Sequence, residues 1–414
     1  MKRITIIALL IIAPIINKAS DTLTLYQFQD IVKIPTKYPV DFSLGYENNS
    51  GEFLNGDNDV PTNGLLYGTI SVSVLRGLLF DEQRFSITGS ELLADKSKIE
   101  KELIVRDVII KSLHTYVEWS TAYNELEITN EYLSRVTERH SLVKQLFENG
   151  DKPAIDTIES RINLNTATKT KIKAAENLLR KRQKINLLLW GASNEPIQLL
   201  ESVVPQNIST VMELLQYETI AISQNWNNDP TIRKKQISID QINLNNRLER
   251  EQLKPQLDLK LNTIHSLGDA DLAYSYNVND YKLGASLLIP LRNRKTKGQI
   301  RLNEALITQN RLDQNYYINE LGNRYEMLTN AIALRQQSLD ISLEKLDNSN
   351  LLYTAEQLKF ELGESSVFLL NSRERKLLEA ETEYIKSLKL LSANYTELYF
   401  LKLGQENGID NRNR

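Results

Sequence analysis

The chain has 414 residues, 41% hydrophobic and 25% charged, with a formal net charge of −3. That balance excludes wholesale disorder, and near-neutral charge leaves no basic footprint for nucleic acid. There is no cysteine, which excludes disulfides, thiolate metal sites and acylation on an N-terminal cysteine.

Residues 1–20 read as a secretory signal. Lys2 and Arg3 precede an apolar run from Ile4 to Ile16, and Ala19 or Ser20 could end it. The run is too short for a spanning helix, which needs roughly 20 residues. No other apolar stretch of that length follows, so a membrane span would have to be a closed β-barrel.

The rest of the chain says the same thing twice, in repeats covering 21–208 and 209–403. The first opens with a short leading segment, Asp21 to Tyr38. Strands are expected at about 39–47 and 67–76, joined by a polar loop from Glu47 to Leu66. Phe42, Leu44 and Tyr46 oppose Asp41, Ser43 and Gly45; Ile70, Val72 and Val74 oppose Thr69, Ser71 and Ser73. This period of two is the pattern of a strand with one apolar and one polar face, in a membrane barrel or a half-buried hairpin. A helical hairpin is expected over about 81–190, turning at Phe147–Gly150. A proline-containing connector, 191–208, follows it.

The second repeat opens with an expected helix over 209–253, in which Asp229–Pro230 marks a start or a kink. Strands are expected at about 255–263 and 281–290, around a loop from Thr263 to Asp280. Leu257, Leu259 and Leu261 form one face of the third; Leu283, Ala285, Leu287 and Ile289 one face of the fourth. A second helical hairpin, about 293–403, turns at Phe360–Gly363, and residues 404–414 form a polar tail. Leu370, Leu377, Tyr384, Leu391 and Leu398 recur every seven residues, a coiled-coil seam. Arg373, Glu374, Arg375, Lys376, Glu381 and Glu383 flank it and are expected to serve plain structural packing. Four strands cannot close a barrel, since the smallest have about eight. A barrel therefore requires several copies of the chain.

This order resembles the TolC family of outer-membrane efflux proteins over residues 22–403. The resemblance rests on the strand-to-helix junctions Leu78–Arg84 and Pro290–Thr296, the turns Leu146–Gly150 and Leu358–Gly363, and the leucine-rich end before Trp190–Gly191. It implies a mainly α fold with a membrane β-barrel portion: a homotrimer forming a twelve-stranded barrel and a periplasmic α-helical tunnel. It further implies an outer-membrane exit duct of a Gram-negative bacterium, extending into the periplasm. Such a duct meets a periplasmic adaptor (membrane fusion) protein and an inner-membrane pump, for efflux or type I secretion. No cofactor is implied. The first repeat departs from the pattern, because its leading helix is shorter by roughly 40 residues than the repeat predicts.

The resemblance also places a candidate periplasmic gate at the helical turns. Asp156 sits at an acidic gate position and Phe360 at an aromatic one. The basic partner position is Ser365, and the acidic-ring positions are Leu369 and Ser372. Glu159 or Glu364 could supply charge, or all these carboxylates could be plain solvated surface. Phe368 and Leu369 could form an apolar constriction instead. Enzymatic activity is not expected: the three histidines are scattered, with no His-Glu-x-x-His pattern and no phosphate loop. The alternative is a secreted or periplasmic coiled-coil scaffold or adaptor without a pore, which has no use for four alternating strands.

Overall fold

A computed structural model of the chain describes residues 40–49, 64–191, 193–219, 222–266 and 281–405. The expected signal, the leading segment Asp21–Tyr38, most of both polar loops and most of the tail lie outside the described residues.

In chain order the elements are β1 (Val40–Glu47), β2 (Leu65–Ser73), α1 (Glu82–Glu148), α2 (Ala154–Asn186), α3 (Ile208–Glu218), α4 (Pro230–Glu251), β3 (Gln256–Ser266), β4 (Tyr281–Leu288), α5 (Arg294–Glu361) and α6 (Val367–Leu403). The chain folds as two compact units, and neither is one sequence repeat. Residues 1–92 with 240–308 form one unit; 93–239 with 309–414 form the other. Each unit draws on both copies.

The first unit holds a four-stranded antiparallel sheet in the order β1-β2-β3-β4. The hairpins of the two repeats are joined through β2 and β3, with Leu65 opposite Ser266 and Ser73 opposite Asp258. Register keeps the alternation in phase across all four strands, since Phe42 faces Ile70, Ile70 faces Leu261 and Leu261 faces Leu283. One face is thus apolar from edge to edge, yet Phe42, Leu44, Tyr46, Leu259, Tyr281, Leu283 and Leu287 on it are exposed. The other face is knit by polar contacts, such as Ser73 Oγ donating to Asp258 Oδ1 at 2.5 Å. No strand pairs with the outer edge of β1 or β4 among the described residues. Beside the sheet, Arg247 stacks over buried Phe80 at 4.1 Å and Arg250 pairs with Glu304 at 3.0 Å.

The long helices form where proline is absent and caps are present. The Asp81 carboxylate accepts from Arg84 N at the start of α1, and Ser366 Oγ accepts from Leu369 N at the start of α6. The expected helix over 209–253 is broken in three: α3, a 3-10 turn at Trp226–Asn228, and α4. The reason is local. Pro230 lacks an N–H and suits a first helical position, and Asp229 Oδ1 accepts from Thr231 N at 2.8 Å as its cap.

In the second unit, short α3 lays Ile208, Val211, Met212 and Leu215 against Val117, Leu339, Leu388 and Leu391. Fully burying each such side chain is worth about 1.5–3 kcal/mol. A further cluster gathers Trp226, Ile232, Leu321, Leu328, Leu398 and Leu401. No helix among the described residues is long and apolar enough to cross a membrane.

Candidate gate at the helical turns

Both hairpins turn by the same backbone device. Gly150 and Gly363 have φ of +88° and +79°, a region that a side chain would strain. Gly150 N donates to Phe147 O and Asp151 N to Leu146 O; Gly363 N donates to Phe360 O and Glu364 N to Lys359 O. This is the same paired closing motif twice, satisfying the last carbonyls of α1 and α5. The sequence duplication is therefore a duplication of hydrogen bonds.

The structure distributes the six candidate gate residues over different surroundings. Phe360 is packed inside the second turn with Val143, Tyr353, Val367, Leu370 and Leu377. Lys152 Nζ lies 5.3 Å from its ring centroid, tying the first turn to the second. Asp156 is half-buried in the first turn of α2, where its charge favours the helix N-terminus. Glu159 is also half-buried and accepts a long bond, 3.5 Å, from Asn371 Nδ2 of α6. Glu364, Phe368 and Leu369 are exposed. Ser365, at the basic partner position, instead donates to Glu356 Oε1 at 2.5 Å within its own hairpin. Of the six, Glu159 and Phe360 thus hold the two turns together, while Phe368 and Leu369 present apolar surface.

A second polar layer lies behind the turns. Tyr132 OH donates to Asn163 Oδ1 at 3.1 Å, and Asn163 Nδ2 donates to Asn371 Oδ1 at 3.2 Å, linking α1, α2 and α6 through buried groups. These residues and Glu159 line a groove of about 370 Å³, with Arg375 and Glu379 at its side. Nearby, Glu374 is fully buried. It accepts from Arg139, and Arg135 reaches both Glu374 at 3.6 Å and Glu381 at 3.6 Å. Heptad reading placed Glu374 beside the seam of α6 alone; it lies in the seam between α6 and α1, opposite two arginines one turn apart. Burial pushes the Glu374 carboxyl above its ordinary range, against the pull of Arg139 and Arg135, and does the same to Glu381 against Arg135.

The signal for this layer was present in the sequence as Arg135 and Arg139 at four-residue spacing and Glu374 and Glu381 at seven, but nothing in one strand of text pairs α1 with α6. Among the described residues no group of His, Asp or Glu is arranged to hold a metal.

No protein family's model matches the sequence, and no curated protein sequence matches it. Solved structures do. The open state of the Neisseria gonorrhoeae MtrE outer membrane channel aligns with a TM-score of 0.65 at 14% identity, over 92% of this chain and 84% of that one. The Vibrio cholerae outer membrane protein VceC aligns at 0.64 and 12%, over 89% and 87%. The Campylobacter jejuni CmeC outer membrane channel aligns at 0.63 and 14%, over 88% and 77%. The fold is that of these outer-membrane channels, as the TolC-family resemblance implied.

Proposed function

We propose that the protein is an outer-membrane exit duct of a tripartite efflux or type I secretion system, passively conducting substrates delivered by an inner-membrane pump through a periplasmic adaptor. One observation carries this reading: the sheet exposes a continuous apolar face, and among the described residues no further strand is paired beyond β1 or β4. In water such a face would aggregate and such edges would recruit further strands. In an outer membrane the face meets lipid, and β1 of one copy pairs with β4 of the next until the barrel closes. Three copies give the twelve strands that the resemblance implies. A pore-free scaffold offers no role for this sheet.

The helical unit supports the same assembly. Met327, Leu334 and Ile341 recur at sevens along α5 and are exposed, as are Ile155, Ile158 and Ile162 of α2. These are seam residues with no seam in the single chain, and a neighbouring copy supplies one. The turns, with Asp156, Glu159 and Glu364 beside Phe368 and Leu369, form the constriction at the periplasmic mouth.

Planar-bilayer conductance of the purified protein tests the reading. Discrete steps from an oligomer, with a low resting conductance, are expected. A protein that inserts no pore and washes off outer membranes with carbonate would falsify the duct.

A further inference from the structure

A shift of 213 residues carries Gly150 to Gly363 and Gly191 to Gly404, so the faces of α1 and α2 have counterparts on α5 and α6. In the second repeat, the segment leading into the sheet covers two neighbours. On α5, Tyr317 OH lies 3.3 Å from Thr231 Oγ1, and Leu321, 2% exposed, packs with Trp226 and Ile232. At the end of α6, Leu403 is 2% exposed. The counterparts of Tyr317 and Leu321 in the first repeat are Ile104 and Val108 of α1, and the counterpart of Leu403 is Trp190. All three are exposed, Val108 at 50% and Trp190 at 61%.

The leading helix α4 has another flank, against α1. There Arg233 meets Glu102 at 2.5 Å and Lys234 meets Glu100 at 2.9 Å, and Ile99 beside them is 8% exposed. The counterparts of Ile99 and Leu103 are Leu312 and Tyr316 of α5, and both are exposed, Leu312 at 64%. Among the described residues, each chain therefore carries two bare apolar surfaces where a second leading helix would pack.

We propose that these surfaces are the two halves of one contact: Ile104 and Val108 of one copy, flanked by Trp190, pack directly on Leu312 and Tyr316 of the next. This rests on the assembly reading above. Three features favour a second copy as the occupant. Every copy carries both halves, at levels within about one or two helical turns of each other by the 213-residue shift. The halves lie on opposite flanks, because the Tyr317 face of α5 and the Ile99 face of α1 are already filled within the chain. A contact between unlike surfaces on opposite flanks generates a ring when its rotation closes. The charged borders match in part, Lys111 beside Val108 answering Asp313 and Glu320 beside Leu312 and Tyr316, with Asp107 also on the α1 border. At this level each copy contributes α1, α4 and α5; toward the turns it contributes α1, α2, α5 and α6. Among the described residues the level of the contact holds one helix fewer per copy than the level of the turns.

The absence of native cysteine makes the test direct. Val108→Cys with Tyr316→Cys, oxidised or treated with a short bismaleimide in isolated outer membranes, should convert monomer into covalent dimer and trimer. Either single variant should stay monomeric. A second pair, Arg161→Cys with Leu352→Cys, is the between-copy counterpart of the Arg139–Glu374 contact and reports assembly by itself. If that pair links and the Val108–Tyr316 pair does not, direct contact is wrong and the assembly stands. If neither links, the assembly reading falls and takes the contact with it. A link from Val108→Cys to a foreign protein, or to Thr24→Cys in the same chain, puts another occupant on the surface and overturns the proposal.

Discussion

The return helices α2 and α6 close in matching sequence, Ile185–Gly191 against Leu398–Gly404, and in opposite surroundings. The end of α6 is enclosed: Phe400 lies between Arg106 at 4.1 Å and Arg324 at 5.1 Å, and Arg106 makes a buried pair with Asp229 at 2.8 Å. The end of α2 leaves Leu187 and Trp190 in the open. Both ends are rich in apolar side chains, but α6 stays helical to Leu403 whereas α2 ends at Asn186 and Trp190 lies in a bridge with Pro196, so the ends differ in backbone as well as in what comes to meet them. The surface of the first repeat that is bare among the described residues is the one on which we propose that the next copy packs.

The largest expected effect separates the two ends. Asp229→Ala leaves the Arg106 guanidinium, 3% exposed, without its partner and should cost about 3–5 kcal/mol in urea unfolding of the purified protein. The matching position on α5 is different: Asn319, the 213-residue match of Arg106, is exposed, and Asn319→Ala should stay within about 0.5 kcal/mol. Equal effects would mean that the two ends are packed alike. Next in size, Leu403→Ala should cost about 2–5 kcal/mol, the transfer term plus a cavity. Trp190→Ala in dispersed monomer should cost about 0.5 kcal/mol. A Trp190 effect that grows on assembly would be the energetic mark of a neighbour covering it.

Acid should act on the helical unit with two signs. Glu397 lies between His114 and Arg324, whose hydrogen bonds hold its carboxyl below the ordinary 4.5 despite burial. Its folded-state value is lowered, so its stabilisation is present above 4.5 and lost as pH falls through the lowered value. Glu374 is the reverse: burial raises it, so its contribution is full below 4.5 and lost as pH rises through the raised value. Relative to wild type, Glu397→Gln should lose its stability deficit on acidification, and Glu374→Gln should lose its own on going alkaline. Parallel pH profiles for the two variants would contradict the assignment.

Much of this fold is legible in the text of the chain. Period-two alternation located four strands, and proline-free runs ending at Gly150 and Gly363 located the hairpins, because local backbone chemistry alone decides both. The break at Asp229–Pro230 was legible as a start or a kink, but not that α3 and the Trp226 turn would fill the gap before it. The candidate gate was legible only in part. The family resemblance placed Asp156 and Glu159 just after the first turn, where α2 begins, whereas Glu374 looks like any charged flank until α1 is laid against α6. Pairing of distant helices is a tertiary fact, and no spacing within one helix encodes it.

The smallest effect concerns the turns themselves, which differ as the helix ends do: one carries half-buried Asp156 and Glu159, the other exposed Phe368 and Leu369. Removing the charge at Asp156 should cost only about 0.3–1 kcal/mol of helix stability. Any charged contact through which Asp156 holds the mouth closed is screened over a Debye length, about 10 Å at 0.1 M salt and about 30 Å at 0.01 M, so it acts most at low salt. Asp156→Ala should therefore raise single-pore conductance at low salt and leave it nearly unchanged at 1 M. Leu369→Ala widens an apolar constriction by volume, so any gain it brings should be similar at both salt concentrations. If Asp156→Ala leaves low-salt conductance unaltered while Leu369→Ala raises it, closure rests on packing of the second turn, and the carboxylates of the first are surface charge.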